Sequence, residues 1–408
     1  MCQLIQLKTK ISCFKNSISR FLIAIVTLFL TIVAGVQSSH GATISVTSTS
    51  DSGPGSLRQA LSDANDGDII AFTVTGSIVL TSSELLVDKS VTISGPGADN
   101  LAVDANGNSR VFHINNGING GATVVISGLT IRNGMAPSDS GGGIFNEQST
   151  LTINDCVITG NVAHQGGGIY TYATRAISSA PTINQAICLG KSGSVSSRGV
   201  QDYFYPDHPE NSAIVTVNNS TFTDNTAYSS GGGIENDSFD YVSSATLVIN
   251  DSRLGSNSGG SEGGGISNFA GAGGYATVRV NNSTLARNSG ESGGGVSNTI
   301  ALFGIAIVEV SNSTVSSNSA QAGGGIYNEG GEDTDTELHV KNCTFSDNAA
   351  SDFGASIYNN QFYPRPRRWT SLTLFWILEF PVKISTTMVM ASSPRLDITS
   401  AMTMLAVI

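Results

Sequence analysis

Apolar residues return at every second position in short bursts down this chain. Val215 and Val217, Leu247 and Ile249, and Val308 and Val310 open one such burst each, and Gly, Asn or Ser closes it within a few residues. Period two is the signal of a β-strand with one buried face, and no 3.6-residue stripe runs through these segments. The bursts belong to a longer pattern. Gly141–Asn146 (GGGIFN) returns as Gly166–Ile169, Gly231–Asn236, Gly263–Asn268, Gly293–Asn298 and Gly323–Asn328, and in altered form as Gly354–Asn359. A second motif follows each copy, at Leu151–Asn161, Val215–Asn225, Leu247–Asn257, Val278–Asn288, Val308–Asn318 and Leu338–Asn348. From Gly231 onward the spacing is about 30 residues, the range of a repeat architecture.

Strands of three to five residues cannot bury a face alone. Coiling the chain so that each turn lies on the last solves this, with every strand paired in parallel to its equivalent about 4.8 Å along the axis. The pattern therefore predicts an all-β fold, a parallel β-helix of roughly ten coils, right-handed by the rule for parallel crossovers. The recurring asparagines are read as corner residues tolerant of left-handed backbone, and as amides that stack along the axis. The glycine triplets mark tight corners. Ser56–Asn65 is the one helical-looking piece, a cap over the first coils. The organisation expected is an export signal over 1–42, a cap and first coils over 43–110, and repeats over 111–360 with an insertion at about 172–212. An aberrant tail fills 361–408.

The signal reading rests on a basic flank from Lys8 to Arg20, an apolar run Phe21–Val36 and small residues at Gln37–Ala42. The tail reading rests on an abrupt change: after PRPRRW begins at Pro364, neither Asn nor Gly appears again. Met388–Ala391 read one frame over gives Gly-x-Gly, so a frameshift near 361–366 is expected. The first 42 residues hold four bases and no acid, and the last 48 a net three positive charges. The body from 43 to 360 therefore carries −18, against −11 for the whole chain. A body so acidic, with no basic stripe, excludes nucleic acid and anionic membrane surfaces as partners, leaving membrane contact only through export or an anchor. Cys156 and Cys343 share one repeat position about five rungs apart, roughly 24 Å, too far for a disulfide and right for two buried thiols.

GGGI followed by FTDN (Phe222–Asn225) or FSDN (Phe345–Asn348) resembles the paired GGA[I/L/V] and FxxN repeats of bacterial polymorphic outer membrane proteins. Val46–Phe72 is similar to the N-terminal cap of large secreted β-helix proteins, with GSLRQAL where those carry a CSLREA-type motif. The resemblance covers about residues 44–360. It implies the pectin-lyase-like fold and a secreted, cell-surface or outer-membrane location. Its chemistry is open, because that fold carries enzymes and adhesins alike. Members held in the outer membrane end in a translocating barrel, which these residues do not contain.

No catalytic set is legible. Lyases and hydrolases on this fold need clustered carboxylates with a base beside them, and the eleven bases of the body are scattered. Asp155 and Asp251 stand where other rungs have Asn219, Asn282, Asn312 and Asn342, which makes them corner residues. The acidic stretch Glu329–Glu337 reads as a solvated loop, with calcium as the alternative, and no cofactor is called for. A ligand face is expected at the position after the GGGI isoleucine, which points outward: Phe145, Tyr170 and Glu235. Tyr172, Tyr203, Phe204 and Tyr205 of the insertion adjoin it. Surface glycans or proteins of a host or cell surface are the partners expected. The reading is an exported, non-catalytic adhesin or structural surface protein, the alternative a β-helix that binds or degrades polysaccharide.

Overall fold

The computed structural model describes residues 41–115, 121–173, 212–239, 243–301, 303–330 and 335–361, with two short strands at Thr373–Phe375 and Ile384–Ser385. Three long sheets of eleven, nine and ten strands run the length of these residues, every pair parallel and in chain order. This is the expected parallel β-helix, of about nine turns. One coil shows the unit. Ser212–Asn218 lies in the first sheet, Thr221–Thr223 in the second, and Thr226–Ala227 in a short accessory sheet. Gly231–Gly233 then turns the chain into Ile234–Ser238 of the third. Among the described residues no helix is long and apolar enough to cross a membrane. The single helix, Leu57–Asp63, has Ser56 as its N-cap and buries Leu57, Ala60 and Leu61 against the first strands.

Alternation becomes stacking because the register holds throughout the three long sheets. Ile126, Ile153, Val217, Ile249, Val280, Val310 and Val340 lie one above the next in the first sheet. Ile158, Phe222, Leu254, Leu285, Val315 and Phe345 do so in the second. Ile144, Ile169, Ile234, Ile266, Val296, Ile326 and Ile357 form the third column. All are essentially inaccessible, and each buried side chain contributes about 1.5–3 kcal/mol of transfer free energy.

Polar columns stack as regularly. Asn161, Asn225, Asn257, Asn288, Asn318 and Asn348 form a buried amide ladder with steps of 2.9–3.0 Å. Asn236, Asn268, Asn298, Asn328 and Asn359 form a second, with steps of 2.6–2.8 Å. The stacking is as expected, but the left-handed backbone belongs to other residues. Positive φ falls on Asp224, Ser256, Arg287, Ser317 and Asp347, one position before the first ladder, and on Asp155, Asn219, Asp251, Asn282, Asn312 and Asn342. A ladder amide needs an extended backbone to point inward, so its neighbour makes the turn. The second set bears out Asp155 and Asp251 as corner residues. The serines that follow these corner residues are buried: the backbone N–H groups of Ser220, Ser252 and Ser283 donate to the Oγ of Ser252, Ser283 and Ser313, one rung on, at 3.0–3.1 Å, forming a third column. Cys156 and Cys343 occupy the ends of that column as free, buried thiols.

The triplet glycines are needed for two reasons. The first has φ between +53° and +72° in the full triplets. The third has no room, since a Cβ on Gly265 would lie 2.5 Å from the Gly295 carbonyl oxygen. The two tail strands pair with Asp335–Lys341 and Ile357–Gln361, each adding one strand to a sheet end. The export segment and the rest of the tail lie outside the described residues.

Candidate functional site

Chain length varies most at one corner of the coil. From Gly128 onward the turn between the first and second sheets is two residues, as at Asn219–Ser220, Asp251–Ser252 and Asn282–Ser283. From the third sheet back to the first it is free to vary: residues 148–149, 174–211, 239–243, 271–274, 301–304 and 331–334 in successive rungs. The insertion and the acidic loop, far apart in sequence, thus leave from the same edge. Phe239 and Phe303 stand on that edge, each more than half exposed, and Phe303 holds a φ of 63°. A bulky residue in that region is a backbone outlier at an exposed turn. Phe239 packs against Phe269 with ring centroids 6.4 Å apart.

The outer face of the third sheet adjoins this edge and carries two columns. One runs His113, Phe145, Tyr170, Glu235, Ser267, Ser297, Tyr327, Tyr358; the other runs Glu147, Tyr172, Asp237, Phe269, Thr299. Phe145, Tyr170 and Glu235 do share a column and point away from the isoleucine core. His113 stacks on Phe145 at 5.0 Å, Phe145 tilts against Tyr170 at 5.3 Å, and Tyr170 stacks on Tyr172 at 5.8 Å. The platform is not open, however: Tyr170 is 6 % exposed, Glu235 1 % and Ser267 and Ser297 0 %. The chain entering each glycine triplet runs alongside the column, so that a Cβ on Gly231 would meet Glu235 Oε2 at 2.7 Å. Tyr203, Phe204 and Tyr205 lie outside the described residues.

At the N-terminal end of this face an ionic group surrounds Phe145. Arg110, 5 % exposed, lies 5.1 Å over the ring and pairs with Glu84 and Asp139. His113 sits between Glu84 at 3.1 Å and Glu147 at 3.3 Å. Burial works against its charged form, but the two carboxylates outweigh it and raise the imidazole to about 9. Hydrogen bonds from His113 in turn hold Glu84 and Glu147 below the usual carboxylate range. A cleft of about 250 Å³ opens beside Arg110, floored by Met135–Asp139.

Further along, carboxylates gather where the sequence shows no carboxylate cluster. Glu235 and Asp237 emerge two apart from one strand, and Glu262, entering the next triplet, reaches over the same face. Asp237 accepts from Tyr170 Oη at 3.0 Å, Glu235 from Ser267 Oγ at 3.2 Å, and Glu262 from Thr299 Oγ1 at 2.8 Å. Nothing in the sequence flags this trio, because Glu262 and Asp237 occupy different repeat positions and meet only through the coil. Among the described residues no group of His, Cys, Asp and Glu is arranged to hold a metal ion. Of the acidic loop, 331–334 lie outside the described residues.

Two segments, residues 155–172 and 219–237, match the Chlamydia polymorphic membrane protein (Chlamydia_PMP) repeat family. Each runs from the corner Asp or Asn, through the second sheet and the glycine triplet, to the outer columns of the third sheet, and together they contain Tyr170, Tyr172, Glu235 and Asp237. No curated protein matches the chain.

Proposed function

We propose that this parallel β-helix protein with polymorphic membrane protein-type repeats is an exported bacterial surface protein, non-catalytic, that serves adhesion. The observation that carries this reading is the gathering of the largest changes in turn length on one edge of the rod, where Phe239 and Phe303 are also exposed. Insertions on one face of a repeat protein are where binding concentrates, because the stack keeps the rest rigid. Kinship with a membrane-protein repeat supports placement at the bacterial surface. Surface proteins or glycans of another cell are the partners such an edge suits.

The test is retention of intact cells on the immobilised chain, with Phe239→Ser and Phe303→Ser compared. Retention that falls at least tenfold in the double variant, with the fold unchanged by circular dichroism, supports the edge as the adhesive surface. Equal retention, or none, overturns it.

A second reading is favoured by one specific observation. The partly exposed His113–Phe145 stack beside an ionic cleft has the aromatic-and-polar character of a sugar-binding surface. A glycan array read with and without calcium tests it. Binding lost in Phe145→Ala moves the assignment to polysaccharide binding, and release of shortened glycan moves it to degradation.

A further inference from the structure

Three carboxyl groups lie on the outer face of the third sheet, and among the described residues no cation lies beside them. Glu235 is 1 % and Asp237 4 % exposed, and Glu235 Oε2 and Asp237 Oδ1 are buried without a hydrogen-bond partner. Ser297 Oγ, fully buried in the same column, is likewise unpartnered. The groups facing them come from every packed element. Tyr170 and Tyr172 lie on the preceding strand, and Ser230 and Glu262 enter the triplets. Ser267 and Phe269 lie on the next strand, Ser297 and Thr299 on the one after, and Glu329 one rung beyond. Among the described residues none of the three acids has an ion pair, and every charged neighbour named is another acid.

An ionised carboxylate so placed costs far more than a protonated one, because burial removes its hydration and no described residue beside it supplies the opposite sign. Three within about two rungs, or roughly 10 Å, also repel one another. We infer that Glu235, Asp237 and Glu262 form a proton-loaded lock: the rungs from Gly166 to Ile300 close tightly while these acids are neutral and loosen when they ionise. The device goes beyond the proposed adhesive role and stands independently of it.

The electrostatics agree in direction. Burial, opposed by the Tyr170 hydrogen bond, pushes Asp237 up to about 7; burial and the Asp237 charge hold Glu235 well above the carboxylate range; burial also raises Glu262. A raised folded value means that the folded chain holds protons the unfolded chain has lost. Stability is then complete below the unfolded value near 3.8 and is lost as pH rises through 7.

Two measurements on the full chain test this. The first is the unfolding equilibrium from pH 4 to pH 8 for the wild type and for Glu235→Gln/Asp237→Asn. Asp237 alone, moved from 3.8 to about 7, accounts for a fall of about a thousandfold in the folding constant. The double variant should lose at least that much of the dependence, and parallel curves overturn the lock. The second is the infrared carbonyl band of un-ionised carboxylic acid in the wild type at pH 6. Its presence, bleaching as pH rises above 7, supports the lock even where the variant fails to fold; its absence overturns it.

Discussion

The second amide ladder has one missing step, and filling it should stabilise the protein. In the column Asn146, residue 171, Asn236, Asn268, Asn298, Asn328, Asn359, position 171 is threonine. Thr171 is fully buried with its Oγ1 unpartnered, and Asn236 Oδ1 above it has no donor. Everywhere above that point the Nδ2 of one rung serves the Oδ1 of the next at 2.6–2.8 Å. Thr171→Asn supplies the missing donor to Asn236 and an acceptor for Asn146 Nδ2, which now bonds only the Ser149 carbonyl at 2.9 Å.

A buried acceptor left unsatisfied costs about 1–3 kcal/mol. Two orphans are relieved, while the buried threonine methyl, worth about 0.8 kcal/mol, is lost. The net gain expected is about 1–2 kcal/mol, since the neighbouring rungs already hold asparagine at the same register. Urea unfolding reads it as a higher midpoint at unchanged slope. The reciprocal Asn298→Thr removes the steps to Asn268 and Asn328 and the bond to the Ala306 carbonyl at 3.2 Å, and should cost about 2–4 kcal/mol. A Thr171→Asn chain no more stable than the wild type, measured beside a destabilised Asn298→Thr, refutes the ladder as a source of stability at that rung.

Gly295→Ala should destabilise by about 3 kcal/mol in the same assay, because its Cβ meets the Gly325 carbonyl at 2.5 Å and the rungs must part. Ser283→Cys should cost less than about 1.5 kcal/mol, since Cys156 and Cys343 already fill the equivalent position; Ser283→Val, which strands the Ser252 N–H, should cost more. Burial pushes the Cys156 thiol up to about 11, so a disulfide reagent at pH 8 should leave it unmodified until the chain unfolds. His113, raised to about 9, adds stability that is complete below 6.5 and lost as pH rises through 9; His113→Gln should flatten that limb by at most about 3 kcal/mol. A carbon-detected imidazole titration with a midpoint near 6.5 would sink that assignment.

The fold was legible because a stacked coil writes its geometry at fixed intervals. Once Val215, Leu247, Val278 and Val308 align, so do the strands, and the cap, the buried thiols and the corner Asp155 and Asp251 follow. The role of the asparagines was half legible: repetition reveals a ladder, but which residue beside it turns left-handed depends on the side chain having to point inward. Phe145, Tyr170 and Glu235 were correctly placed on one outer column. The burial of Tyr170 and Glu235 was hidden, because it comes from backbone entering the next turn rather than from any side chain in the motif.

The acid lock shows where such reading fails for a physical reason. Repeat alignment compares equivalent positions: Glu235 stands between Tyr170 and Ser267, Glu262 between Ser230 and Ser292, and Asp237 between Tyr172 and Phe269, so no position shows an acid on adjoining rungs. Their meeting depends on the triplet corner bringing position 262 beside positions 235 and 267, a contact between unlike positions of adjacent rungs. The same holds at the variable edge. Residues 174–211, Phe239 and Phe303 share no motif, yet the uniform 30-residue period returns the chain to that edge once per turn. In a solenoid the repeated residues build the rod, and the departures from the repeat, gathered by the coil into adjoining rungs, are where binding and control have room to arise.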